Sequence, residues 1–229
     1  MDKSKGYFLN IIKKTYSKNN NEIILVEKAP KDYEKTILII GVVHGDEQQG
    51  KFLIEKYLNT PHLSPLPQGA RMQRANRLLF IPCLNPDGLE NNTRQNANMV
   101  DINRNFPTKN WERTEKNDYF GGENSGSEIE TKFVIEMIEE FSPDAILTLH
   151  APYMVVNYDG PAEEIAQELS KIINYPVQKE IGYPTPGSFG TYAGIERNIP
   201  TITLELDENC STAELEQPIN TIFDFLCKH

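Results

Sequence analysis

The chain has 229 residues, of which 38% are hydrophobic and 24% are charged, and its formal net charge is -10. A chain of this length and composition can bury a sizeable core as one globular domain. Its acidity argues against nucleic acids and anionic membranes as partners, because phosphate groups would be repelled. No apolar run approaches the ~20 residues of a membrane span, and the first residues do not match a secretion signal. Together with three widely spaced cysteines, these features favour a reduced, cytoplasmic location.

Predicted strands and helices alternate along the chain. Short β-branched runs predict strands, and longer amphipathic stretches predict helices. In chain order, the predicted elements are strands Glu22–Val26 and Thr36–Val43, helix Asp46–Leu58, strand Leu78–Pro82, helix Glu128–Phe141, strands Ala145–Leu149 and Tyr153–Asn157, helix Ala162–Ile173, strand Thr201–Leu206 and helix Thr212–Cys227. This order predicts an α/β fold with a mostly parallel or mixed sheet covered on both faces.

Two helix starts carry a capping signature, in which a serine is followed three residues later by a glutamate. These pairs are Ser127 with Glu130 and Ser211 with Glu214.

Two stretches of the chain lack the periodicity of a helix or a strand. Pro61–Arg77 contains three prolines and predicts a surface connection, whereas Asn85–Ser125 is a long loop of the kind that usually serves function.

Two histidines and a glutamate form a candidate metal site. His44 follows the strongest predicted strand, and Glu47 opens the next helix. His150 ends another buried strand, although a histidine there could instead be structural. Ligands gather at the carboxyl ends of strands in open α/β sheets, and His₂Glu leaves one position open for water, as in catalytic zinc sites. The other two histidines, His62 in a proline-rich loop and His229 at the end of the chain, are poor candidates.

Polar residues elsewhere complete a hydrolytic set. Alternation in the last predicted strand puts Glu205 on the face opposite its apolar neighbours, where it is either a solvent-facing carboxylate or a base beside the metal. Arg94, Asn103 and Arg104 lie in the long loop. An arginine fork suits a substrate carboxylate, and a second arginine near the metal could stabilise an oxyanion.

These motifs together resemble the zinc metallocarboxypeptidases of the carboxypeptidase A type. The resemblance runs from about Leu38 to Leu206, and the order and spacing of the motifs fit throughout. It implies an α/β fold with a mixed, twisted, eight-stranded sheet, and one catalytic domain over residues 1–229. It also implies one Zn²⁺ per chain. The implied roles are metal ligation by His44, Glu47 and His150, general base catalysis by Glu205, carbonyl polarisation by Arg94, and binding of the substrate carboxylate by Asn103 and Arg104.

Within that family, the chain is most similar to the murein peptide amidase branch, through Asn85–Leu89, Thr93–Asn98, Val100–Pro107 and Tyr183–Gly190. The implied reaction is hydrolysis of the γ-D-glutamyl–meso-diaminopimelate bond of a murein tripeptide in cell-wall recycling. Met99 departs from the glycine expected in this branch. His150 is followed by Ala151, Pro152 and Tyr153. Digestive carboxypeptidases have Ser-Tyr after the corresponding metal ligand. Tyr183 is the better candidate for the family's mobile, substrate-binding tyrosine, and Tyr192 is the alternative.

Three hypotheses of different kinds remain at this level. The first is the murein peptide amidase, acting on a small peptide with a free carboxylate. The second is a general metallocarboxypeptidase or a desuccinylase-like N-acyl amino acid hydrolase. The third is a non-catalytic binding domain, which the joint presence of the ligands, Glu205 and Arg94 disfavours. The sequence carries no signal for an oligomeric state.

Overall fold

The computed structural model of the protein describes residues 8–60, 75–179 and 185–228. Within these ranges, eight strands form one sheet and five α-helices surround it. The strands are β1 (Phe8–Tyr16), β2 (Glu22–Ala29), β3 (Thr36–Gly41), β4 (Arg77–Ile81), β5 (Ala145–His150), β6 (Val155–Asp159), β7 (Val177–Gln178) and β8 (Thr201–Glu205). The helices are α1 (Gln49–Asn59), α2 (Pro86–Asn91), α3 (Ile129–Phe141), α4 (Glu163–Ile173) and α5 (Thr212–Lys228).

The sheet is mixed, with the strand order β1-β2-β4-β3-β5-β8-β6-β7. Its four central strands, β4, β3, β5 and β8, run parallel to one another. On one side β1 and β2 add antiparallel strands, and on the other side β6 pairs antiparallel with β8. The expected eight-stranded mixed sheet is therefore confirmed.

Both faces of the central strands are buried, as their continuous apolar character predicts. In β3, Ile37 and Ile39 pack with α1, α4 and α5, whereas Leu38 and Ile40 pack with α3 on the opposite face. This two-sided burial makes the carboxyl ends of the central strands a rigid edge on which a site can be built.

Two strands differ from their predicted bounds at single residues that adopt left-handed backbone conformations. Val42 has a φ of 52°, which ends β3 before the predicted Val43. Met154 also has a φ of 52°, and β6 begins only after it. A β-branched residue is strained at positive φ, so alternation alone could not reveal the first of these breaks.

Some elements escaped the sequence analysis. β1 was missed because a bulge between Ile11 and Lys13 breaks its alternation. The segment Asn85–Ser125 was predicted to be a long loop with hardly any helix or strand pattern, and the short helix α2 within it was missed. There the Asn85 side chain accepts a hydrogen bond from Gly88 N at 2.9 Å, and Pro86 occupies the first helical turn.

The two capping predictions have different outcomes. At α5, Ser211 N donates to Glu214 Oε2 at 2.9 Å and Glu214 N donates to Ser211 Oγ at 3.3 Å, so this capping box is confirmed. At α3 the prediction is wrong. Ser127 Oγ instead donates to its neighbour Glu128 at 2.6 Å, because Asn105 crosses from the long loop to bond the same segment.

Several predictions fall on residues outside the described ranges. They concern His62, His229, Tyr183 and most of the connection predicted at Pro61–Arg77, although Arg77 itself begins β4. None of the helices in the described part of the chain is both long and apolar enough to cross a membrane.

Candidate active site

Functional side chains meet where the parallel strands end. His44 lies three residues beyond β3, and His150 is the last residue of β5. Glu205 ends β8 and is the register partner of His150. Parallel strands present their carboxyl ends at one edge, so residues far apart in the chain converge there.

His44, Glu47 and His150 form a compact group that could hold a metal ion. Their potential ligand atoms all lie within 4.8 Å of one another. Nδ1 of His44 lies 2.8 Å from Glu47 Oε1, and Nδ1 of His150 lies 2.8 Å from Glu47 Oε2. Both imidazoles therefore turn the same nitrogen towards the shared carboxylate, as convergent ligands would.

Asp101 lies behind His44 and orients it. The Nε2 atom of His44 lies 3.1 Å from Asp101 Oδ1, in a fully buried contact. A carboxylate in this position fixes the imidazole tautomer and strengthens the other nitrogen as a ligand. Sequence analysis placed Asp101 within a motif but assigned it no role, because its contact with His44 spans 57 residues.

The charges of this group favour a bound cation. Burial opposes a charge on His44, but the carboxylates of Glu47 and Asp101 outweigh it and raise the pKa of His44 to about 9. Burial alone would raise the pKa of Glu47, yet the imidazoles of His44 and His150 hold that pKa well below its ordinary range. The buried carboxylate of Asp101 and the largely buried carboxylate of Glu47 thus favour positive charge on the groups next to them.

Both predicted arginines border the same space. Arg94 donates to Asp101 Oδ2 through Nε at 3.0 Å, and its Nη2 lies 2.9 Å from the same oxygen. Arg104 donates through Nη1 to the Asn103 carbonyl oxygen at 2.7 Å. Both guanidinium groups lie over the ring of Tyr119, at 5.0 and 5.8 Å from its centroid. These contacts hold the two cations in place beside the candidate metal ligands.

The Asn103 and Glu205 side chains face the same space. Asn103 Oδ1 accepts a hydrogen bond from Phe189 N at 2.8 Å, which fixes the amide. Glu205 is 9% exposed, and its Oε2 atom has no hydrogen-bond partner among the described residues. Burial raises the pKa of Glu205 above the ordinary value. A buried carboxylate oxygen without a partner is suited to accept a proton.

A cavity of about 400 Å³ connects these groups. All seven predicted site residues that the structure describes lie on its wall: His44, Glu47, Arg94, Asn103, Arg104, His150 and Glu205. Tyr192 does not, because it is 1% exposed and packs in the core against Phe106. The described structure therefore gives no support to Tyr192 as the mobile tyrosine. The wall also includes Tyr119, Tyr153 and Asp159, which sequence analysis did not select.

Met99, where a glycine was expected, has a φ of 61° and is 67% exposed. Glycine adopts this conformation without strain, which is a physical reason for the expectation. The methionine side chain points away from the core, so the loop keeps its course towards Asp101.

Comparison with known proteins identifies the family. The zinc carboxypeptidase family matches residues 4–213. The chain belongs to the zinc carboxypeptidase family. Murein peptide amidase A of Escherichia coli (strain K12) is 30% identical over 213 residues, covering 88% of this chain and 83% of that protein. Murein peptide amidase A of Vibrio campbellii (strain ATCC BAA-1116) is 32% identical over 206 residues, covering 82% and 76%.

Solved structures agree with this membership. The murein-tripeptide amidase of Escherichia coli O157 superposes with a TM-score of 0.77 at 26% identity, covering 98% of this chain and 93% of that one. Carboxypeptidase A from Helicoverpa armigera shares the fold, with a TM-score of 0.76 at 15% identity and coverage of 95% and 67%.

The donor chemistry of the site fits the metal of this family. Zinc binds imidazole nitrogen and carboxylate oxygen at ~2.0–2.2 Å, and its catalytic sites keep a position open. His44, Glu47 and His150 supply two nitrogens and a carboxylate from an edge that faces the cavity. The second nitrogen of His44 already has its carboxylate partner.

Proposed function

We propose that the chain is a zinc-dependent amidase that hydrolyses the γ-D-glutamyl–meso-diaminopimelate bond of a murein tripeptide. The observation that carries this proposal is the meeting of a His₂Glu group, a glutamate with one carboxylate oxygen that has no partner among the described residues, and two arginines on one cavity wall. Family membership and relatives named murein peptide amidase A support the substrate class.

His44, Glu47 and His150 would hold the metal. Zinc bound there supplies a Lewis acid that polarises the scissile carbonyl and activates water. Asp101 keeps His44 in the tautomer that leaves Nδ1 available as a ligand.

Glu205 would act as the general base and then as the general acid. It takes a proton from the attacking water as the new carbon–oxygen bond forms. It then delivers that proton to the nitrogen of diaminopimelate as the carbon–nitrogen bond breaks. The raised pKa of Glu205, caused chiefly by burial, suits both directions of transfer.

The two arginines would have different roles, one at the scissile carbonyl and the other at the substrate carboxylate. Arg94 donates to the carbonyl oxygen as negative charge develops on it, while Asp101 keeps the guanidinium oriented. Arg104 and Asn103 bind the terminal carboxylate of diaminopimelate, which places the scissile bond at the metal. Tyr183 remains a prediction for closure on the substrate, since residues 180–184 lie outside the described ranges.

We also infer that residues 1–229 form one catalytic domain and that the protein works in the cytoplasm, where a recycled tripeptide would be met. Cell fractionation followed by immunoblotting tests the location, and recovery of the protein in an oxidising compartment would contradict it.

The deciding experiment is mass-spectrometric product analysis with L-Ala-γ-D-Glu-meso-diaminopimelate. We expect free diaminopimelate from the zinc-loaded enzyme, none after chelation, and none from Glu205→Gln that still binds zinc. An intact tripeptide alongside cleavage of a hippuryl amino acid or a succinylated glutamate would favour the alternative hydrolases. No cleavage of any amide by zinc-loaded protein would favour the non-catalytic hypothesis.

A further inference from the structure

Arg94 and Asp101 close a short loop by bonding to each other. Nε of Arg94 donates to Asp101 Oδ2 at 3.0 Å, and Nη2 lies 2.9 Å from the same oxygen. The other oxygen of Asp101 lies 3.1 Å from Nε2 of His44. The course of the chain between the arginine and the aspartate, here called the 94–101 loop, therefore determines where Arg94 lies relative to the candidate metal ligands.

The side chain of Asn96 organises the 94–101 loop from inside. Its Oδ1 atom accepts hydrogen bonds from Asn98 N at 3.0 Å and from Val100 N at 3.2 Å. The backbone N of Asn96 also donates to Val100 O at 3.0 Å. Asn96 is 4% exposed, so water hardly competes for these bonds. The amide thus fixes the turn that leads the chain to Asp101.

The other side of the same amide anchors the loop to the start of α3. Nδ2 of Asn96 donates to Glu128 Oε2 at 2.8 Å and to Glu130 Oε2 at 3.1 Å, and both glutamates are buried. Asn96 therefore uses its oxygen as an acceptor towards the backbone and its nitrogen as a donor towards carboxylates. Among side chains of this length only an amide offers both, since an aspartate has no donor and an alanine has neither group.

We propose that Asn96 is a positioning residue, which holds Arg94 and Asp101 in the geometry that the chemical step needs. This inference rests on the proposed function, in which Arg94 donates to the scissile carbonyl. Asn96 is not among the described residues that line the cavity, so its effect passes through the loop rather than through contact with substrate. A donor aimed at a developing oxyanion loses much of its effect when it is displaced by about 1 Å. Binding of the substrate carboxylate falls to Arg104, which the Asn96 amide does not contact.

Steady-state kinetics of Asn96→Ala at saturating zinc test this role. We expect kcat for the tripeptide to fall by about 10- to 100-fold while KM stays within about threefold of wild type, because the interaction that is weakened acts in the transition state. Asn98→Ala is the matched control and should keep the wild-type kcat. Nδ2 of Asn98 also donates to Glu128 Oε2, at 2.7 Å, but this side chain is exposed. A wild-type kcat in Asn96→Ala, or an equal loss in both variants, would overturn the inference.

Combination with arginine variants shows whether the effect passes through Arg94. In an Arg94→Ala background, Asn96→Ala should lower kcat by less than about threefold further, because the group that it positions is already absent. In an Arg104→Ala background it should have its full effect. Equal effects on the two backgrounds would show that Asn96 supports the fold in general, and the positioning role would be lost.

Asn96→Ser keeps the test decisive if Asn96→Ala does not fold. A serine hydroxyl can still accept from Asn98 N, since serine forms the same kind of turn more weakly than asparagine. It is too short to bond both carboxylates of α3. We expect kcat to fall by about 3- to 30-fold in protein that chemical denaturation shows to be folded. An undiminished kcat in folded Asn96→Ser would contradict the inference.

Zinc affinity provides a readout that needs no turnover and so separates the two proposals. Displacement of Asp101 from His44 should weaken zinc binding by Asn96→Ala about 10-fold in a titration against a competing chelator, whereas Asn98→Ala should match wild type. If no tripeptide is cleaved yet this difference is found, the proposed function fails and the positioning role of Asn96 stands. If Asn96→Ala binds zinc as wild type does, Asn96 does not position Asp101 and the inference fails, whatever the substrate.

Discussion

At the scale of single residues, Asp101 connects the candidate metal site to the site of carbonyl polarisation. One of its oxygens contacts His44 Nε2 at 3.1 Å, and the other accepts from Arg94 Nε at 3.0 Å. Burial would raise the pKa of Asp101, but His44 and Arg94 hold it well below its ordinary range. The carboxylate thus stays ionised, and a single side chain orients groups with different tasks.

Asp101→Asn should therefore weaken zinc binding by about 10- to 100-fold, as loss of a carboxylate partner of a ligating histidine usually does. The measurement is a zinc titration against a competing chelator. Asp118→Asn, an exposed change in the same loop, is the control and should bind zinc as the wild type does. Equal affinity in both variants would show that Asp101 does not support the ligand.

Arg104→Ala should mainly raise KM for the tripeptide. Its guanidinium is proposed to bind the substrate carboxylate equally in the ground state and in the transition state, so its loss weakens binding more than it slows the chemical step. We expect an increase of about 10- to 100-fold from loss of a charged hydrogen bond, with a smaller change in kcat. Steady-state kinetics provide the test. Arg113→Ala removes an arginine that pairs with Glu123 on the surface and should leave KM unaltered. An unchanged KM in Arg104→Ala would mean that another group holds the carboxylate.

At the scale of elements, the start of α3 is stabilised by a buried acidic pair. Asn96 donates through Nδ2 to Glu128 Oε2 at 2.8 Å and to Glu130 Oε2 at 3.1 Å. Burial raises the pKa of Glu130 to about 7, and the charge of Glu128 adds to the effect. The long loop that carries the arginines is thereby tied to a helix on the opposite side of the sheet from α1.

This arrangement predicts a loss of stability with rising pH. The folded state holds the Glu130 proton up to about pH 7, whereas the unfolded chain loses it near ~4.3. The folded state therefore binds more protons between these values, and the free energy of unfolding falls as pH rises through this window. The free energy of unfolding can be measured with denaturant at pH 5 and at pH 8. Between these values it should fall by roughly 1–3 kcal/mol less in Glu130→Gln than in wild type.

Glu139→Gln, an exposed change on the same helix, is the control for the α3 experiment and should retain the wild-type pH dependence. Parallel curves for wild type and Glu130→Gln across pH 5–8 would exclude a buried proton on Glu130.

At the scale of the whole molecule, stability and site geometry reside on different parts of the sheet. The rings of Tyr57, Phe80 and Phe223 join α1, β4 and α5, with Phe223 at 4.9 Å from Tyr57 and 5.6 Å from Phe80. All three are almost fully buried. The site residues instead follow the carboxyl ends of the strands, where the sheet faces the cavity.

Phe223→Ala should thus destabilise the fold by about 3–5 kcal/mol through the cavity it leaves. Enzyme that remains folded should keep the wild-type KM. Chemical denaturation and kinetics at low temperature measure the two effects separately. Ile195→Ala, at a 60% exposed position, should change neither quantity. A large rise in KM in folded Phe223→Ala would show that the core and the site are coupled.

Most of the site was predictable because the motifs that carry it are local. The spacing of His44 and Glu47 and the order of Asp101, Asn103 and Arg104 are properties of short segments. The central strands were predictable too, since burial on both faces demands unbroken apolar runs. β1 and α2 were missed, because a bulge and a side-chain cap override the periodic signal on which such predictions rest.

By itself, the sequence determined the fold class, the central strands and the residue types available for hydrolysis, because hydrophobic periodicity and motif spacing are recorded within each segment. Only the tertiary structure decided which groups meet. Strand order brings His150 beside Glu205, and loop packing puts Asp101 behind His44. Burial and charge pairing arise from contacts between distant segments, and no local pattern records them.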